Sequence, residues 1–60
     1  MLIVYRGYEL VPIKDGEYWH AQIFSGGRRI TDTMPFAREE PAMAEAKKIV
    51  DEMRDSRRSA

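Results

Sequence analysis

No cysteine occurs among the 60 residues, which excludes disulfides, thiolate metal sites and cysteine nucleophiles together. There is one histidine, His20, so a metal site would have to draw its remaining ligands from carboxylates alone. An excess of either charge is also missing, since ten Lys and Arg balance ten Asp and Glu. The balance is local as well, with four of each sign in residues 1–35 and six of each in residues 36–60. A strongly basic nucleic-acid footprint is therefore absent; only residues 54–60 lean basic, with Arg54, Arg57 and Arg58 against Asp55. No apolar run is long enough to span a membrane, the longest opening at Met1 and breaking at Arg6. Met1 to Tyr5 has no basic flank before it and no small-residue cleavage site after it. No secretory signal is expected, and the reading is of a cytoplasmic protein.

What is present is 43% apolar residues in a chain the size of one small domain, enough to argue against disorder. A chain of this length buries only about 60% of its unfolded surface, so its core is small. The first half reads as strands. Leu2 to Ile13 is rich in β-branched and aromatic residues and runs into Asp15-Gly16, a strong hairpin signal. Glu17 to Phe24 forms a second strand, Ser25-Gly26-Gly27-Arg28 a second tight turn, and Arg29 to Met34 a third strand. Gly26-Gly27 is better read as a hairpin turn than as a phosphate loop, because no helix starts beside it and no Lys-Ser/Thr pair follows.

With Gly26 and Gly27 as loop residues, Phe24 faces Arg29, Ile23 faces Ile30, Gln22 faces Thr31, Ala21 faces Asp32, His20 faces Thr33 and Trp19 faces Met34. This register puts Trp19, Ala21, Ile23, Ile30 and Met34 on one face; only Asp32 sits badly on it. In the first hairpin, a two-residue Asp15-Gly16 loop pairs Lys14 with Glu17, Leu10 with Ala21 and Tyr8 with Ile23. A three-residue loop would flip the first strand and aim Glu9 at the core, so the two-residue loop is preferred.

Pro41 suits the first position of a helix, and Met43, Ala46, Ile49, Val50 and Met53 then recur at helical spacing. The expected fold is α+β: a three-stranded antiparallel meander in order 1-2-3 packed on one C-terminal helix of about residues 40–55. The domain spans residues 1–55, with 56–60 as a flexible tail. Trp19, Phe36, Met34 and Ile23 would pack against Met43, Ala46, Val50 and Met53. Leu2 to Tyr5 would overhang the hairpin, with Gly7 as a bulge. That overhang either folds onto Ile49 and Met53 or pairs with a second chain as a homodimer.

Catalysis finds little support. Ser25 lies in a turn and Ser56 and Ser59 in the tail, while Glu39-Glu40 and Asp51-Glu52 are neighbours that a helix splays about 100° apart. His20 has no carboxylate opposite it and reads as a surface histidine. No metal, cofactor or catalytic residue is expected. The bare sheet face is the informative surface, with Tyr5, Glu9 and Val11, then Tyr18, His20, Gln22 and Phe24, then Arg29, Thr31 and Thr33. Arg28 stands in the turn at its end. Arg28 and Arg29 suit phosphate or guanine, Gln22 suits adenine, and Tyr18, His20 and Phe24 offer stacking surface. The expectation is weak nucleic-acid binding through Tyr18, His20, Gln22, Phe24, Arg28, Arg29 and Thr31, with the basic tail adding phosphate contacts. The alternative is a protein-interaction module.

Tyr18-Trp19-x-Ala21-x-Ile23, the glycine turn, Phe36 and Glu40-x-Ala42-x-x-x-Ala46 resemble the sheet-plus-helix DNA-binding domain of plant APETALA-type factors and of some phage and transposon integrases. The resemblance covers roughly residues 16–50. It implies that the bare face enters the major groove, with Gln22, Phe24, Arg29 and Thr31 facing DNA. Where that family places several arginines, this chain offers Arg29 with Arg28 in the turn. Asp15-Gly16-x-Tyr18-x-x-Ala21, then Thr31-Asp32-Thr33 and an Ala-rich helix, is similar to Hic-type antitoxin N-terminal domains, which bind a toxin protein. The chain lacks their Pro-Gly-Cys-like segment. The Tyr5-Arg6-Gly7-Tyr8-Glu9 start resembles that of small bacterial proteins and carries no function with it.

Overall fold

Positive backbone φ angles mark every reversal of the chain in its first half, and they set the strand count. A computed structural model describes residues 2–59, with side chains described for residues 2–56. Its elements are β1 (Ile3–Tyr5), β2 (Tyr8–Asp15), β3 (Tyr18–Ser25), β4 (Arg28–Asp32) and α1 (Glu39–Ser59). The strands form one antiparallel sheet in the order β1-β2-β3-β4. The α+β class, the meander and the C-terminal helix are as expected, but the sheet has four strands where three were expected.

The additional strand comes from Arg6-Gly7, whose φ values of 51° and 87° are both positive, as a type I′ hairpin turn requires. Ile3 to Tyr5 therefore does not overhang, and Gly7 is a turn residue rather than a bulge. β1 folds back so that Ile3 faces Leu10, Val4 faces Glu9 and Tyr5 faces Tyr8. A left-handed arginine costs roughly 1–2 kcal/mol. A 2.6 Å hydrogen bond from the Arg6 guanidinium to Asp51 on α1 offsets part of that cost.

Between β2 and β3, Leu10 faces Ile23 and Asp15 faces Tyr18, so the turn residues are Gly16 and Glu17 rather than Asp15 and Gly16. Each partner moves by two positions from the expected register, and an even slip leaves the faces unchanged. Between β3 and β4, Phe24 faces Arg29 as expected, but a bulge at Ile30 then brings Thr31 opposite Ile23 and Asp32 opposite Gln22. The following residue, Thr33, is buried against Ala21, and its hydroxyl accepts the Ala21 N–H at 3.0 Å where a strand carbonyl would otherwise do so. Met34-Pro35 adds a second slip before Phe36 exchanges two backbone hydrogen bonds with Trp19.

Helix α1 begins two residues before Pro41, which the first turn accommodates because its N–H groups have no helical acceptor anyway. It continues through Ser59, past the expected end at 55, so positions 56–59 are helical rather than a tail. Glu39 and Glu40 occupy the first turn, where the helix dipole favours them. The core joins Leu10, Ala21 and Ile23 of the sheet to Met43, Ala46 and Val50 of the helix. Ala21, Ala42 and Ala46 are each 0% exposed, and their small side chains let helix and sheet approach closely. Trp19 and Phe36 are only half-buried, and Met34 is 63% exposed, so the expected core is corrected at all three. The shortest dimension, 14 Å, fits one helix on one sheet and leaves the far sheet face uncovered.

The observed register orders two truncations. Ile23→Ala, at a fully buried site, is expected to cost roughly 2–5 kcal/mol. Met34→Ala is expected to stay within about 0.5 kcal/mol, the value for an exposed position. Urea denaturation measures both. Comparable losses at the two sites would restore the register in which Met34 faces the helix.

Candidate functional site

Strand pairing sorts side chains into rows across the uncovered face. One row runs Val4, Glu9, Phe24, Arg29, one residue per strand. The next holds Val11, Gln22 and Asp32, and beyond it lie Ile13 with His20 and Asp15 with Tyr18. Val11, Ile13 and Phe24 are half-buried, while Val4 and Tyr18 are 67% and 58% exposed. The strands thus place three carboxylates, Glu9, Asp15 and Asp32, on this face against one guanidinium, Arg29.

Asp32 gathers the polar groups at the β4 side. Arg29 Nη1 donates to its Oδ2 at 3.1 Å, and His20 Nε2 stands 4.0 Å from the same oxygen. His20 therefore has a carboxylate neighbour, contrary to the expectation, because the Ile30 bulge turned Asp32 onto its face. The other oxygen, Oδ1, is buried without a hydrogen-bond partner. Two groups do not make a metal centre, and no cluster of three or more such ligands occurs among the described residues.

Of the residues singled out in the sequence, Tyr18, His20, Gln22, Phe24 and Arg29 share this face. Arg28 and Thr31 do not. Arg28 pairs with Ser25 and Thr31 with Ile23, so both belong to the helix-covered side, as does Thr33. Adjacent strand residues point to opposite faces, so Arg28 and Arg29 cannot act on one surface. Tyr5, also expected on the bare face, lies on the helix side opposite Tyr8. The side chains of Arg57 and Arg58, expected to contact phosphate, lie outside the described residues. Val4, Ile13, Asp15 and Asp32 join the face. Ile13 was legible from its alternation with Val11, whereas Val4 and Asp32 depended on the unseen turn and bulge.

The helix side holds two further features. An open groove of about 750 Å³ lies between the helix and the start of β4, lined by Tyr8, Ser25, Ile30, Ile49, Glu52, Met53 and Ser56. Near β1, the Tyr5 hydroxyl lies 3.0 and 3.1 Å from the two Asp51 oxygens, Arg6 pairs with the same carboxylate, and the Lys47 ammonium sits 5.6 Å from the Tyr5 ring centre. The hydrogen bond from Arg6, helped by that from Tyr5, holds the Asp51 carboxyl below its ordinary value of 3.8. The same bond to Asp51 pushes the Tyr5 phenol above 10.0.

Comparison with family models, curated proteins and solved structures finds no match. Among the described residues no helix is long and apolar enough to cross a membrane.

The Tyr5–Arg6–Asp51 contact carries a pH signature of known sign. Asp51 has a lowered folded pKa, so its contribution is present above 3.8 and fades as pH falls through the folded value. Tyr5 has a raised one, so its contribution is present below 10.0 and fades at more alkaline pH. Asp51→Asn is expected to denature at lower urea than wild type at pH 7, with the gap closing toward pH 2. A gap of constant size across that range would show that the contact does not form in solution.

Proposed function

We propose that this chain is a non-catalytic binding module, acting in the cytoplasm, whose working surface is the uncovered sheet face and whose partner is protein rather than nucleic acid. The observation that carries this reading is the make-up of that face. Val4, Val11, Ile13 and Phe24 give it an apolar band, Tyr18 an exposed aromatic, and its strand residues bring more carboxylate than guanidinium. Contiguous apolar surface rimmed by polar groups suits a protein interface. Phosphate contact needs clustered cations, and here Arg29 is already paired with Asp32 while Arg28 points to the other side. The DNA-binding resemblance loses two of the groups it would use, Arg28 and Thr31. The protein-binding reading keeps Val11, Tyr18 and Phe24 on the face and loses Tyr5 to the helix side.

Titration of the isotope-labelled chain with mixed-sequence DNA and RNA at low salt, and with nuclease-treated cell extract, tests this by NMR. The nucleic acids are expected to leave the amides of Val11, Gln22 and Phe24 unmoved, and protein contact, with extract or with further copies of the chain as its concentration rises, to shift or broaden them selectively. Salt-sensitive shifts of those amides with DNA or RNA would overturn the protein reading.

A further inference from the structure

We infer that the uncovered face is the interface of a symmetric homodimer, two sheets packed face to face with the helices outside. The inference rests on the binding-face reading above and names its occupant as a second copy of this chain. The row Glu9–Phe24–Arg29 carries the argument: an acid, an aromatic and a base on three adjacent strands, with the aromatic in the middle. Two-fold axes within the interface plane can run along this row or along the strands. An axis along the row sets Glu9 on Glu9 and Arg29 on Arg29, which like charges oppose. An axis along the strands through Phe24 sets the two Phe24 rings together and brings Glu9 of each copy against Arg29 of the other. The row is self-complementary only in that second arrangement, which is what a closed isologous contact requires. Arg29 holds Asp32 through Nη1 and is 58% exposed, so further N–H donors remain for an incoming carboxylate.

The small core points the same way. Among the described residues Leu10, Ile23 and Val50 are the largest fully buried side chains, and the sequence has no cysteine to form a disulfide. Association is one of the few remaining means by which so small a core is reinforced. The overlapping strands β2, β3 and β4, of eight, eight and five residues, project over roughly 300–400 Å² per copy at the usual strand spacings. The interface is therefore at the small end, and the dimer exchanges with monomer in the micromolar range or above.

Sedimentation from about 10 µM to about 1 mM tests the association. Wild type is expected to pass from monomer to dimer mass. Glu9→Arg and Arg29→Glu are each expected to remain monomeric, and their equimolar mixture to recover dimer mass, because each copy then meets the opposite charge. Recovery on mixing also shows that both variants fold. Wild type monomeric throughout, or a dimer indifferent to either substitution, overturns the proposal. The extract titration separates the two levels. Selective broadening of Val11, Gln22 and Phe24 with a monomeric wild type keeps the binding face and removes the second copy as its occupant. No broadening with a monomeric wild type removes both.

Discussion

Keeping one carboxylate, Asp32, out from under the helix determines the arrangement of the whole β4 side. In an unbroken register Asp32 would lie opposite Ala21, which is fully buried where the helix closes on the sheet. A charge in that position has no partner and costs several kcal/mol. The Ile30 bulge moves Asp32 across the sheet plane, where Arg29 binds it, and puts Thr33 in the buried place with its hydroxyl satisfied by Ala21 N–H and Met34 carbonyl. The cost is an isoleucine left 45% exposed, which forfeits only part of the roughly 1.5–3 kcal/mol that full burial of such a side chain provides. The larger penalty decides the register.

That choice propagates to both surfaces. On the outer face it assembles the Asp32–Arg29–His20 contacts and leaves Arg28 and Thr31 behind. On the helix side it projects Ile30 into the groove shared with Ile49 and Met53. Close approach at Ala21, Ala42 and Ala46 seats the helix over the middle of the sheet, and the Tyr5–Arg6–Asp51 contact ties the β1 edge to it.

Much of this was legible in the residues themselves. The helical spacing of Met43, Ala46 and Val50, the turn at Gly26-Gly27 and the inward pair Ala21 and Ile23 required no tertiary information. The β1–β2 turn escaped notice because its first residue is Arg6, where Asn or Asp would be the usual signal, and its left-handed backbone is supported by a helix residue 45 positions away. The bulge escaped for a different reason. Arg29-Ile30-Thr31 alternates as a regular strand should, and only the misplaced Asp32 hinted at a slip. Outer-face membership was correspondingly right along β3, where the alternation is unbroken, and wrong at Thr31 and Thr33, beyond the bulge.

The register of β4 on β3 is the claim on which the composition of the face depends, and cross-strand proton NOEs read it directly. The account predicts contacts linking Gln22 with Asp32 and Ala21 with Thr33, followed by Trp19 with Phe36. Contacts linking Gln22 with Thr31 and Trp19 with Met34 would contradict it, returning Thr31 to the outer face and Asp32 to the side beneath the helix.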